Sequence, residues 1–398
     1  MELPKMYGLA GFDKHLTDGE AAADMQDFET ALHELADHPP GNSQALVSFS
    51  AAAVNALHDE NFPEFRQLTD GFIRGRVDMV APYKVQLFWR AFQYVLLERT
   101  HDAQYPAAYG NELTWQMAFR TILTDRPGKM NPEGWALKEM LDVNNNQTNE
   151  PRRYAGIKLA IAAYARELPA APSLVDAGCS AGLGQIQIGE NIPFRGIQLE
   201  AGLEVRKLLR DRLMAKLAIS NNIGFDKVVG IDPKWVEACS YYPSELEDTK
   251  LNQSKRRFRE FLYRRRRNFV RLHGDLTEGP DSLDDIIDRN QGQPYDVATA
   301  LTSLYEIPKD QLAVATDSLE SLSGKLVVVQ DFAEIDKHDP TKLVFAEDIY
   351  APDSKYQLFS KLKANGDDHW THLGTWSSGR CARFKPTDAL IERCLTQK

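Results

Sequence analysis

The densest concentration of groups that could do chemistry is the segment Leu174-Val175-Asp176-Ala177-Gly178-Cys179-Ser180-Ala181-Gly182-Leu183-Gly184. An apolar run leads into a carboxylate and then into a turn in which Gly178 and Gly182 flank small residues. Glycine allows positive φ and lets a ligand approach the backbone closely. In dinucleotide folds such glycines face a pyrophosphate at a helix N-terminus. Here Asp176 stands two residues before the first glycine, where it repels a phosphate and welcomes an ammonium group. The spacing of Gly178, Gly182 and Gly184 also fails to give G-x-G-x-x-G. The bland alternative is a glycine-rich turn of an ordinary βα unit.

The loop resembles the D/E-x-G-x-G-x-G loop of class I S-adenosylmethionine methyltransferases, with Ser180 in place of the central glycine. That resemblance implies that Asp176, Gly178, Cys179, Ser180 and Gly182 meet the amino-acid and ribose parts of S-adenosyl-L-methionine. Asp176 would balance the ammonium group, directly or through water. A carboxylate at the end of the second strand suits hydrogen bonds to both ribose hydroxyls. Asp232, in Val228-Val229-Gly230-Ile231-Asp232-Pro233, is preferred for this role over Glu200. Glu200 fits the usual gap of about 20 residues better, but leaves too little chain for strand, helix and strand. Gln185–Gly202 then reads as an insertion, a hairpin over the site. Asp275 and Leu276, after the run Asn268–Leu272, fall where methyltransferases meet adenine; a helix cap is the alternative for Asp275. After the fourth strand, Tyr305 and Glu306 are the polar candidates for catalysis, with Asp331 a similar candidate after the fifth. The Asn/Asp-Pro-Pro-Tyr motif of amino-group methylation is absent.

Three segments together resemble a bacterial family called domain of unknown function 2332. They are Gln147-Thr148-Asn149-Glu150 with Arg153, the loop Asp176–Leu183, and Gly230-Ile231-Asp232-Pro233 followed by Tyr242-Pro243-Ser244-Glu245. The resemblance spans Asn144 to Asp331 and implies a methyltransferase-like fold without fixing a reaction. Within it, Gln147, Asn149, Glu150 and Arg153 become substrate-binding candidates, with Glu150 and Arg153 as a functional pair. A linker in which Thr148 or Asn149 caps the next helix is the competing reading.

These groups must be carried by regular elements. Apolar residues at Val85, Phe88, Phe92, Val95 and Leu96 predict a helix over Pro82–Arg99, and Leu113, Met117, Phe119 and Ile122 predict another over Asn111–Leu123. A further helix is expected over Arg152–Glu167. From Ser173 onward short apolar runs alternate with longer segments: Ser173–Ala177, Lys227–Ile231, Asn268–Leu272, Tyr295–Leu301 and Gly324–Gln330. Such runs are expected of strands buried on both faces of a parallel sheet. Residues His369–Phe384 carry hairpin chemistry around Ser377-Ser378-Gly379. The expected fold class is α/β: a Rossmann-like class I methyltransferase fold, mostly parallel with a C-terminal antiparallel hairpin, over 151–398. An α-helical domain over 1–150 precedes it.

Composition narrows the rest. A chain of 398 residues with 43% hydrophobic and 26% charged residues has the make-up of a globular protein. A net charge of −10 argues against generic binding of nucleic acid or membranes. The basic run Lys255–Arg267 leaves nucleic acid as a weak partner candidate; its Phe258, Phe261 and Leu262 read as an inward face. Four scattered cysteines fit a reducing compartment. No apolar run approaches the roughly 20 residues of a membrane helix, and Met1–Thr30 lacks a signal-peptide pattern, so a cytoplasmic protein is expected. His369 and His372 are placed on opposite faces, and no metal site is expected. The expected activity is S-adenosylmethionine-dependent methyl transfer to a small-molecule acceptor. The alternative is a non-catalytic nucleotide- or partner-binding protein of the same fold.

Overall fold

The computed structural model describes residues 18–77, 79–126, 129–144, 150–194, 196–227, 232–247, 249–265, 269–346, 355–363, 368–377 and 381–396. The chain divides into two compact units, Met1–Asn145 and Asn146–Lys398.

The first unit contains α1 (Asp18–Asp37), α2 (Gln44–His58), α3 (Pro63–Gly75), α4 (Ala81–Tyr94), α5 (Glu112–Leu123) and α6 (Pro132–Val143). Proline opens α3 and α6, where its missing N–H costs nothing. The side chains of Asn111 and Asn131 accept backbone N–H bonds from Leu113 and Gly134 and so cap α5 and α6. Aromatic rings fill the core: Phe65 and Phe92 each pack against Phe119, at 4.9 and 4.8 Å between centroids. The inward stripe of α5 is Trp115, Ala118, Phe119 and Ile122, because the Trp115 indole donates to the Ala45 carbonyl at 2.9 Å. Leu113 and Met117, expected to face inward, are exposed. A short ribbon, β1 (Thr124–Arg126) with β2 (Lys129–Met130), forms at the turn cluster.

The second unit is built on a nine-stranded mixed sheet. Its strands are β3 (Ser173–Ala177), β4 (Gln198–Leu199), β5 (Asn221–Asp226), β6 (Val270–His273), β7 (Tyr295–Leu301) and β8 (Ser323–Asp331), then β11 (Tyr356–Leu362), β12 (Trp370–Trp376) and β13 (Arg383–Pro386). A separate ribbon pairs β9 (Ala333–Ile335) with β10 (Leu343–Phe345). The sheet order is β4-β13-β12-β11-β8-β7-β3-β5-β6. The run β6-β5-β3-β7-β8 is wholly parallel. Its order reverses between β3 and β7, and in open α/β sheets ligands sit outside the carboxyl ends at such a reversal. Side chains alternate between two apolar layers: Leu174, Val297, Leu326 and Leu358 enter one, Val175, Ala298, Val327 and Phe359 the other. The unit is therefore an α/β protein with a large, mostly parallel mixed sheet. Among the described residues, no helix is long and apolar enough to cross a membrane.

Three expectations about this unit change. The second strand is Asn221–Asp226, ahead of the expected Lys227–Ile231; residues 228–231 lie outside the described residues. Gln185–Gly202 is not a hairpin over the site. It contains most of α8 (Leu183–Gly189) and then β4, which pairs in parallel with β13 at the far edge of the sheet. The expected helix Arg152–Glu167 is a 3₁₀ turn, Pro151–Tyr154, followed by α7 (Ala155–Ala163). The expected strand pairing forms, with Trp376 opposite Phe384, while residues 378–380 of its turn lie outside the described residues, and the unforeseen β11 joins the pair to β8.

Candidate functional site

The glycine loop leaves β3 as the spacing suggests. Gly178 and Gly182 have φ of +70° and +64°, and Ser180 between them has +50°. The glycines answer to the chain's own packing as well as to any ligand. A Cβ on Gly178 would lie 2.7 Å from Ser303 Cβ, and one on Gly182 2.1 Å from the Phe269 ring. The loop is tied to β5 and β6. Ser180 N–H donates to Asp226 Oδ2 at 2.9 Å, and Arg271 Nε donates to the Ser180 carbonyl at 2.8 Å. Cys179 is buried, and burial first, with Asp226 and Asp176 nearby, pushes its thiol well up. It stays protonated and acts as packing: Gly224 lacks a Cβ where Cys179 Sγ would be 2.6 Å away.

Asp176 is fully buried. Strand register sets Thr299 beside it. Thr299 Oγ1 donates to Oδ1 at 2.5 Å, and the Tyr154 hydroxyl donates to Oδ2 at 2.7 Å. Burial raises its carboxyl to about 7, against the pull of these two donors. Both oxygens therefore hold protein donors. Nothing in the sequence spacing assigns Tyr154 this role.

Asp232 caps α9 (Pro233–Ser240), accepting from Lys234 N–H at 2.9 Å. The carboxylate that ends the second strand is Asp226, half-buried beside the glycine loop. Glu200 follows β4 at the far edge, 3.4 Å from the Ser377 hydroxyl. Asp275 caps a 3₁₀ turn, accepting from Thr277 N–H and Oγ1, and pairs with Lys227 at 3.0 Å. Burial works against its charge, but Lys227 and Thr277 outweigh it and hold the carboxyl below its usual range. Leu276 is buried in the core layer with Leu283 and Ile286.

Beyond β7 the chain forms a 3₁₀ turn, Leu304–Glu306, held by Asp331. Asp331 Oδ2 accepts from the N–H groups of Leu304 and Tyr305 at 3.0 and 3.3 Å, and Oδ1 from Phe332 N–H at 2.8 Å. Burial raises this carboxyl to about 7 despite those bonds. Tyr305 is buried edge-on to Phe332 at 5.3 Å; Glu306 is half-buried.

Gln147, Thr148 and Asn149 lie outside the described residues. Glu150 and Arg153 are both buried, but they do not pair through their side chains. Glu150 takes Arg152, whose Nε donates to Oε1 at 2.9 Å. Arg153 instead points toward the strand ends: Nη1 donates to Thr302 Oγ1 at 2.6 Å and Nη2 to the Tyr356 hydroxyl at 3.4 Å. The structure thus gathers Asp176, the glycine loop, Arg153 and Tyr305 around the carboxyl ends of β3, β7 and β8, adding Thr302, Phe332 and Tyr356. Glu200, beyond β4 at the far edge of the sheet, falls outside this group.

The basic stretch lies largely on α10 (Thr249–Tyr263). Leu262 is buried as expected, but Phe258 and Phe261 are exposed. Lys255 and Arg256 pair with Glu245 and Glu237, and Arg265 stacks over Phe261 at 4.5 Å. Among the described residues, no group of three or more His, Cys, Asp or Glu could hold a metal ion. In the helical unit a cleft of about 240 Å³ is lined by Asn55, Asp59, Phe62 and Arg120. Its polar groups already pair, Arg120 with Asp59 and Asn55 with Glu112.

The chain matches no protein-family model, and no curated protein matches it.

Proposed function

We propose that the sheet unit binds S-adenosylmethionine and transfers its methyl group to a small-molecule acceptor. One observation carries the reading. A loop with two left-handed glycines leaves β3 where the strand order reverses, and the adjacent strand ends in a half-buried carboxylate, Asp226. The resemblance of this loop to the class I methyltransferase loop, and of the surrounding segments to domain of unknown function 2332, supports the same reading.

The donor set fits such a cofactor. Asp226 can accept from vicinal ribose hydroxyls. The Ser180 hydroxyl is buried with no hydrogen-bond partner among the described residues, an unmet polar group inside the loop. Asp176, held by Thr299 and Tyr154, lies at the base of the loop. When bound, the cofactor supplies a methyl group on a sulfonium, already activated toward a nucleophile. The chain's remaining work is then orientation and exclusion of water, which alone can lower a barrier by about 7–11 kcal/mol. Asp331 fixes the turn that presents Tyr305 and Glu306, and Phe332 and Tyr356 wall the same side with apolar surface.

The experiment is a thermal-shift comparison. S-adenosylhomocysteine at about 100 times its dissociation constant should add about 2.7 kcal/mol of stability, and NAD should add none. A shift with NAD and none with S-adenosylhomocysteine would replace this reading with dinucleotide binding. The contacts of Gly178 and Gly182 with Ser303 and Phe269 favour a second reading, a non-catalytic binding protein whose loop is chiefly structural. Cofactor binding without turnover over a broad acceptor panel would select it.

A further inference from the structure

Arg153 is 9% exposed and, among the described residues, meets no carboxylate. A buried cation without a counter-charge is expensive. The nearby acids do not relieve it: Glu150 is held by Arg152, and Asp331 by backbone N–H groups. The Arg153 guanidinium spends Nη1 on Thr302, makes only a 3.4 Å contact from Nη2 to Tyr356, and leaves Nε buried without an acceptor. The edge formed by Nε and Nη2 is the one that receives a carboxylate side-on through two parallel hydrogen bonds. Thr302 is itself held at φ +55°, a backbone cost that tends to persist at ligand sites.

The walls suggest the kind of anion. The Arg153 guanidinium lies 5.3 Å from the centroid of the Tyr356 ring, Tyr356 packs on Phe332 at 4.1 Å, and Phe332 meets Tyr305 at 5.3 Å. One cation among aromatic rings suits a planar monoanion better than a phosphate dianion, which calls for more donors.

We propose that Arg153, with Thr302 and Tyr356, is a binding site for the carboxylate of a small molecule, taken up on the Nε–Nη2 edge in place of the long Tyr356 contact. The carboxylate belongs either to an organic-acid substrate or to the amino-acid end of the cofactor. The site itself stands apart from the methyl-transfer reading; only the second source rests on it.

Calorimetry on the full chain, wild type and Arg153→Met, with three probes, separates the cases. For an acid substrate, benzoate binds the wild type and Arg153→Met weakens it at least tenfold, while S-adenosylhomocysteine is unaffected. For the cofactor, S-adenosylhomocysteine binds at least tenfold tighter than 5′-methylthioadenosine, which lacks the amino acid, and Arg153→Met erases that advantage. Arg153→Lys keeps the charge but loses the fork, and should give an intermediate loss in whichever case holds. Benzoate binding without S-adenosylhomocysteine binding keeps the carboxylate site and removes the methyl-transfer reading. Equal binding of every probe by wild type and Arg153→Met, or no binding of benzoate or S-adenosylhomocysteine to the wild type, overturns the proposal.

Discussion

Asp176 and Arg153 are both buried charges at the carboxyl edge of one sheet, and the chain treats them in opposite ways. Around Asp176 every oxygen is served: Thr299 comes from the neighbouring strand in register, and Tyr154 from the turn before α7. Around Arg153 no counter-charge is supplied among the described residues, and one N–H is left without an acceptor. The first is the economy of a folded core, where buried polar groups are matched. The second is the pattern of a site, where matching is left to something that binds. Between these two residues burial is alike, and the completeness of the partner set is what differs.

Disturbing the complete side should cost most. A Cβ on Gly184 would lie 1.8 Å from the Tyr154 ring, so Gly184→Ala must push that ring away from Asp176. Overpacking of about 1–3 kcal/mol and an unsatisfied buried group of about 1–3 kcal/mol together predict a loss of about 2–6 kcal/mol in urea unfolding. A loss below about 1 kcal/mol would mean that Tyr154 moves without cost and that the partner set is not tight.

Next comes pH. The Asp176 carboxyl ordinarily releases its proton near 3.8 but in the fold near 7, because of burial. Between these values the folded chain holds more protons than the unfolded one, so this group makes stability fall as pH rises from about 4 to about 7 and stay level above. Asp331 acts in the same direction. Asp176→Asn should therefore flatten part of the slope, not all of it. An unchanged slope in denaturant midpoints measured across that range would contradict the assignment.

The smallest effect is expected on the incomplete side. Arg153→Met gives up bonds to Thr302 and Tyr356 but removes an unpaired buried charge, and such exchanges are often neutral or stabilising. The melting temperature without ligand should stay within about 2 °C of wild type or rise, less than the roughly 2–4 °C that 1 kcal/mol moves in a domain of this size. A fall of many degrees would place Arg153 with Asp176 among the structural charges.

Much of the sheet was readable. Ser173–Ala177 and Tyr295–Leu301 are apolar because both faces are covered, and their bounds match the sequence runs. β5 was not readable, since it spends Asn222 on a bond to the Gln185 carbonyl and Gly224 on room for Cys179. Those contacts make Asn221–Asp226 less strand-like in composition than the Val-Val-Gly-Ile run that follows it. β11 went unseen because Gln357, Ser360 and Lys361 break up its apolar run. Arg153 stands at the carboxyl edge of the sheet, while in the sequence Glu150 at i−3 looks like its partner. The 3₁₀ turn Pro151–Tyr154 instead gives Glu150 to Arg152 and turns Arg153 toward Thr302, and no spacing rule contains that choice.

The proposed place of the nucleoside cofactor is where the strand order reverses, with its ribose on Asp226 at the end of β5. Its most direct test is calorimetric titration of S-adenosylhomocysteine into wild type, Asp226→Asn and Asp232→Asn. Losing a hydrogen bond to a charged group should weaken binding to Asp226→Asn by about 1.5–3 kcal/mol, roughly 10- to 150-fold, while Asp232→Asn binds within twofold of wild type. Loss at Asp232 with Asp226 indifferent, or no binding to the wild type at all, would contradict the account.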